Sequence, residues 1–165
     1  MVEIKEIAGD SQLESSLNVI RDAFSTVAKE LNLTPESAPT HPFFSTGEQL
    51  IELHKKAVFF GLYLDGEQAG FVSAEKGEDG AFFLGRLAVI PRLRHQGYGR
   101  KLVEFTLDYA KQHGGAKVAL GMIDEQTILK DWYKTLGFTE TGTRKFEHLP
   151  FTVCFMEYDL SAQQV

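Results

Sequence analysis

From Val2 to Ile7 apolar and polar residues alternate, as they do along a half-buried strand. The period then lengthens. Leu13, Leu17, Ile20, Phe24, Val27 and Leu31 recur every three or four residues and predict a helix with one apolar stripe turned to the core. Ser11, with Glu14 three residues on, predicts a capping box at its start. Residues 34–46 interrupt the pattern, and Pro35, Pro39 and Pro42 exclude a continuous helix there. The stretch Thr40-His41-Pro42-Phe43-Phe44 is unusually apolar for a connection. A second helix is expected after a cap at Ser45 or Thr46, ending near Lys56.

Three strand-like runs follow, at 58–64, 69–76 and 81–90, and the pairs Asp65-Gly66 and Asp79-Gly80 between them are hairpin turns. They predict an antiparallel meander. In the next amphipathic stretch Leu102, Phe105, Thr106, Tyr109 and Ala110 share one face, and Arg100, Lys101, Glu104, Asp108 and Lys111 the other, until Gly114-Gly115 ends the helix. A strand over 117–122 comes after it, and a strand–helix–strand connection of that length implies parallel pairing with the third meander strand. A short helix over 126–136 stops at Gly137, and strands at 138–143 and 151–160 complete the chain. The expected fold is a single mixed α/β (α+β) domain over 1–165, with a mostly antiparallel sheet of about seven strands flanked by about four helices.

Composition narrows the function. At 165 residues the chain can bury about two-thirds of its unfolded surface. One cysteine, Cys154, excludes an internal disulfide framework and a cysteine-rich zinc site, and its strand-like setting reads as a small buried side chain. His54, His95 and His113 lack partners at ligand spacing, so no metal is expected. There is no charged-then-apolar leader and no apolar run of about 18 residues, which points to a cytoplasmic protein without membrane contact. The formal charge of −6 argues against a nucleic-acid surface and favours cationic partners such as amines.

Against that acidic background stands a basic segment, running Leu87-Ala88-Val89-Ile90-Pro91-Arg92-Leu93-Arg94-His95-Gln96-Gly97-Tyr98-Gly99-Arg100-Lys101-Leu102. It reads as an apolar strand, a turn with two glycines and the first turn of a helix. A helix start carries unpaired N–H groups and about +0.5 of a charge, and bare glycines let a large anion approach them. The dinucleotide fingerprint fails because position 102 is Leu. The P-loop fails because Gly80 and Gly85 precede Arg86-Leu87. The Arg94-x-x-Gly97-x-Gly99 pattern, following Leu-Ala-Val and opening an amphipathic helix, resembles the acetyl-CoA-binding motif of the GNAT superfamily of N-acetyltransferases. A second stretch, Trp132-Tyr133-Lys134-Thr135-Leu136-Gly137-Phe138, resembles that family's L-Y-x-x-x-G-F signature. Together they cover roughly residues 82–142.

The resemblance implies acetyl-CoA as cosubstrate. The backbone of Leu87, Ala88 and Val89 would pair with the pantetheine arm. Arg94 and the N–H groups from His95, Gln96, Gly97, Tyr98, Gly99 and Arg100 would hold the pyrophosphate. Gln126 stands where the family often has an asparagine on the pantetheine arm. Tyr133 takes the place of the general acid near the coenzyme sulfur, a role that suits a phenol of pKa about 10. His41, Phe43 and Phe44 lie where the family lines the acceptor side, although they serve equally well to pin their loop. Glu147 and His148, between the last two strands, also fall on that side. Many relatives carry a glutamate on the fourth strand where this chain has Gly85, so the base is open among Glu147, His148, Asp124, Glu125 and solvent. The implied reaction is direct acetyl transfer to a primary amine, with a small cationic amine slightly favoured over a peptide, and a homodimer is open. Two other readings remain, a non-catalytic acyl-CoA sensor of the same fold and a generic nucleotide-phosphate binder.

Overall fold

A computed structural model describes residues 1–161, with Ser11 described by its backbone alone. Seven strands form one sheet: β1 (Val2–Glu6), β2 (Ala57–Leu64), β3 (Glu67–Lys76), β4 (Ala81–Val89), β5 (Lys117–Ile123), β6 (Thr139–Lys145) and β7 (Thr152–Asp159). Their order across the sheet is β1-β2-β3-β4-β5-β7-β6, antiparallel throughout except for β4 beside β5. Four helices accompany it: α1 (Leu13–Glu30), α2 (Gly47–His54), α3 (Tyr98–Gln112) and α4 (Thr127–Thr135). No helix among the described residues is long and apolar enough to cross a membrane.

The adjacent residues Phe59 and Phe60 show how the layers form, because neighbours on a strand point to opposite faces. Phe59 stacks on His54 of α2 at 4.4 Å and meets Phe71 edge-on. Phe60 meets Phe105 and Tyr109 of α3 edge-on at 4.9 and 5.1 Å. Strand β2 is therefore covered on both faces, which is why its apolar run is nearly continuous.

The β2–β3 hairpin turns at Asp65 and Gly66, with φ of 51° and 89°, and left-handed angles at both central positions match the twist of the flanking strands. The β3–β4 connection is longer: a 3₁₀ turn over Glu78–Gly80, left-handed at Asp79 and Gly80 (59° and 75°), is closed by the Gly77 N–H donating to the Ala81 carbonyl at 2.8 Å. Helix α2 starts with a complete capping box between Thr46 and Gln49. Ser11, expected with Glu14 to cap α1, is not its N-cap. A 3₁₀ turn over Asp10–Gln12 intervenes, and Gln12, without a side-chain bond, is the N-cap of α1. The Ser11 side chain itself lies outside the described residues. The buried face of α1 also includes Ser16, Val19, Ala23 and Ala28, which the period of large residues passed over.

The feature that positions the site is a parting of strands. Strands β4 and β5 pair only at Ala81↔Lys117, Phe82↔Val118 and Phe83↔Ala119, although β4 continues to Val89 and β5 to Ile123. On its far side β5 stays paired with β7 as far as Ile123↔Val153. Strand β4 stays on β3 but with a bulge, since Phe71 faces Ala88 and Ser73 faces Gly85, leaving Arg86 and Leu87 opposite Val72 alone. A bulge bends its strand and adds twist. A gap therefore opens toward the C-terminal ends of β4 and β5.

Helix α1 spans that gap. The Arg94 guanidinium, after β4, donates to Thr26 Oγ1 at 3.0 Å and to the Ala23 carbonyl. After β5, Gln126 Nε2 reaches Glu30 Oε2 at 3.5 Å. Replacing Arg94 with Ala is expected to lower unfolding free energy by about 1.5 kcal/mol, the scale of hydrogen bonds from a charged donor. Urea titration reads it, and an unchanged midpoint would show that the clamp carries no stability.

Candidate active site

The turn that leaves β4 is built from two left-handed residues, His95 (φ 65°) and Gly97 (φ 87°). Gly97 is the N-cap of α3 and supplies no side-chain bond. A Cβ there would meet nothing within 4 Å, so the space before the helix start is open and the glycine is required by its backbone angle. The first bond into the helix runs from Lys101 N–H to the Gly97 carbonyl at 3.1 Å. The N–H groups of Tyr98, Gly99 and Arg100 therefore precede the ladder and face out of the helix end.

A Cβ on Gly99 would lie at ordinary contact distance, 3.4 Å from Trp132 Cη2 and 3.9 Å from Val89. Trp132 of α4 therefore lies beside the start of α3, and this joins the two sequence motifs in space. Next to Trp132, Tyr133 packs edge-on against Phe138 at 5.6 Å and is only 5% exposed. Burial pushes its phenol well above the ordinary value, so the hydroxyl stays protonated. That hydroxyl makes no hydrogen bond among the described residues, yet it is not among the sealed polar atoms without a partner, so it retains contact with solvent.

The basic residues divide. Arg94 is committed to α1, so its guanidinium serves as a clamp that ties the turn after β4 to that helix. Arg100 pairs with Glu104 on the exposed face at 3.6 Å. Gln126 is the N-cap of α4, with its side chain toward Glu30.

On the opposite side of the gap, Phe43 and Phe44 join a second apolar cluster with Ala28, Leu33, Ala38 and Phe151, reaching Ile123 at the end of β5. They pin the loop, and His41 sits behind them. It is 7% exposed, with its ring edge-on to Phe24 at 5.7 Å and its Nδ1 accepting the Phe43 N–H at 3.2 Å. Burial lowers its pKa to about 4. Glu147 and His148 are exposed on the β6–β7 connection, which Leu149 ties to the same cluster.

Both carboxylates just past β5 are occupied. Asp124 binds the Lys130 ammonium, which also lies 3.2 Å from Glu140. Glu125 accepts the Thr152 N–H at 3.2 Å. The Cys154 thiol donates to Glu140 at 3.3 Å, and burial, with Glu140 beside it, pushes it up to about 11. Asp124, Glu140 and Cys154 have ligand atoms within 4.8 Å of one another, but Lys130 already supplies their positive charge.

Two residues at the gap were not singled out from sequence. Glu30 comes to it from the end of α1, and nothing in a surface helix marked it. Arg86 sits in the β4 bulge, and its signal was an arginine inside the otherwise apolar run Ala81–Val89.

Residues 24–138 match the family model described as the acetyltransferase (GNAT) family. The chain belongs to the GNAT acetyltransferases. The parting of β4 and β5 thus lies within the family's shared region. This member is 26% identical over 122 residues to the probable N-acetyltransferase camello of Xenopus tropicalis, a match covering 70% of this chain and 56% of that one. The chain thus spans about half the length of that curated relative. Its fold is that of the ribosomal-protein-S18-alanine N-acetyltransferase from Escherichia coli, with a TM-score of 0.78 at 20% identity, covering 97% and 94% of the two chains. It equally matches the PaiA N-acetyltransferase from Thermoplasma acidophilum solved with coenzyme A, with a TM-score of 0.78 at 18% identity and coverage of 96% and 99%.

Proposed function

We propose that this GNAT acetyltransferase moves the acetyl group of acetyl-CoA to a primary amine by direct attack while both are bound. The observation that carries the reading is the gap: a strand edge without a neighbour from Leu84 to Val89, ending at a helix start whose N–H groups point outward. That donor set fits a long amide-bearing arm with a diphosphate at one end. An unpaired strand edge accepts an extended amide chain as it would another strand, and a helix N-terminus favours phosphate. The coenzyme A bound to the Thermoplasma relative is consistent with this fit.

Bound acetyl-CoA supplies an electrophilic carbonyl and a thiolate leaving group. The backbone of Leu87, Ala88 and Val89 orients the pantetheine arm. The N–H groups of Tyr98, Gly99 and Arg100, with the His95–Gly97 turn, hold the diphosphate. Tyr133 donates from Oη to the departing sulfur. A thiol of pKa about 8.5 does not draw a proton fully from a phenol held above 10, so Tyr133 acts first as a hydrogen-bond donor and moves its proton only as far as the thiolate's basicity pulls it. The amine proton passes to water. Gly85 provides no carboxylate, and Asp124 and Glu125 are engaged elsewhere.

Calorimetry with acetyl-CoA, CoA, ATP and NAD tests the reading, and heat is expected with the two coenzyme A species alone. At 100 times the dissociation constant they should stabilise the fold by about 2.7 kcal/mol. In Gly97→Ala, a left-handed alanine costs about 1–2 kcal/mol, which the turn relieves by relaxing, so affinity should fall roughly tenfold. Absence of heat with acetyl-CoA would end the proposal. Binding without thiol release across a panel of amines would leave a sensor in place of an enzyme.

A further inference from the structure

Arg86 is the one charged side chain of β4, and it holds a φ of 48°, left-handed for a residue with a Cβ. Such conformations persist where the surroundings over-determine them and gather at ligand sites. Its Nε is sealed from solvent without a hydrogen-bond partner, the one side-chain nitrogen or oxygen among the described residues in that condition. No carboxylate among them comes within ion-pair distance, and burial lowers the guanidinium pKa with nothing to offset it. Native structures rarely leave a buried donor unpaired, and a half-buried guanidinium without a counter-charge among its neighbours is under-compensated. The arrangement is that of a cation whose charge no carboxylate among the described residues balances.

Position decides which anion. From the helix start, the unpaired edge runs back through Val89, Ala88 and Leu87 to the bulge at Arg86. With the diphosphate at the helix start, the bulge lies at the reacting end of the arm, away from the phosphates. A thioester there is neutral and leaves the guanidinium uncompensated in the ground state. A singly charged planar group on the acceptor compensates it, and the outer pair of Nη–H groups, which are not sealed as Nε is, matches a carboxylate in shape.

We propose that Arg86 binds a carboxylate of the acceptor, so that the substrate is an amine of the amino-acid class. This rests on the acetyl-transfer reading above and adds the substrate's second charge to it.

The test compares the twenty free amino acids with their carboxamides as acceptors, by thiol release from acetyl-CoA, in wild type, Arg86→Gln and Arg86→Lys. The best free acid is expected to exceed its amide by at least about tenfold in kcat/KM, the scale of one charged hydrogen bond. Arg86→Gln should erase that preference mainly through acceptor KM and leave acetyl-CoA affinity, read by calorimetry, unchanged. Arg86→Lys keeps the charge without the fork and should recover part of it. Equal use of acids and amides by wild type would overturn the proposal, as would an acid preference that survives in Arg86→Gln. So would a loss of acetyl-CoA affinity in that variant, which would assign Arg86 to the donor. If acetyl-CoA does not bind at all, the transfer reading fails separately. Thermal shifts with the same acids and amides, present in wild type and absent in Arg86→Gln, then decide the carboxylate site alone.

Discussion

Tyr133→Phe is expected to lower kcat about a hundredfold while acetyl-CoA affinity and melting temperature hold. The size follows from removing one donor aimed at developing negative charge, which costs on the order of 10²–10³ in rate. The clean separation from stability follows from the structure. The Tyr133 ring is packed against Trp132 and Phe138, which Phe reproduces, and its hydroxyl has no partner among the described residues to lose. Because burial raises the phenol pKa, the wild-type rate should show no limb from Tyr133 below about pH 10. Turnover within a factor of two of wild type in Tyr133→Phe would remove the residue from the chemistry. A fall in kcat matched by a fall in melting temperature would make it a packing residue.

Lowering the pH from 7.5 to 4.5 is expected to cost about 2.5 kcal/mol of stability through His41 alone. The sign follows from its depressed folded-state pKa of about 4, caused by burial, against 6.5 when unfolded. Above 6.5 neither state binds the proton and stability is complete. Between 6.5 and 4 the unfolded chain takes it up and the folded one refuses, so stability falls. The refusal is geometric as well as dielectric: protonating Nδ1 would break its bond from the Phe43 N–H and place a charge between Phe24 and Phe44. Urea titrations of wild type and His41→Gln at both pH values isolate the effect, since the carboxylates titrate alike in the two proteins. Equal losses in both would show that His41 does not couple folding to pH. In wild type, loosening of this loop on acidification would open the cluster that walls the gap.

Much of the fold was legible because its signals are local. The hairpins at Asp65-Gly66 and Asp79-Gly80 are demanded by left-handed angles that those residues tolerate. The cap expected at Ser45 or Thr46 falls on Thr46, whose hydroxyl accepts the Gln49 N–H only three residues on. The same logic failed at Ser11, where a 3₁₀ turn pushed the helix start to Leu13. At the site, the helix start after β4 was readable from Gly97, whose angle allows little else. Arg94 was not, because a basic residue beside a glycine-rich turn gives no hint that its partner is the Ala23 carbonyl, 71 residues earlier.

By itself the sequence determined the strands, the helices and the turn that bares the start of α3, all set by periods and backbone angles within a few residues. It also determined the family, through the two motifs. Only the tertiary structure decided that β4 and β5 part after three residue pairs, that α1 bridges the opening, and that Asp124 and Glu125 are already taken. It alone sealed Arg86 Nε without a hydrogen-bond partner among the described residues. The physical reason is the same for each. Pairing, desolvation and charge compensation depend on which groups meet across the sheet, and those groups lie tens of residues apart in the chain.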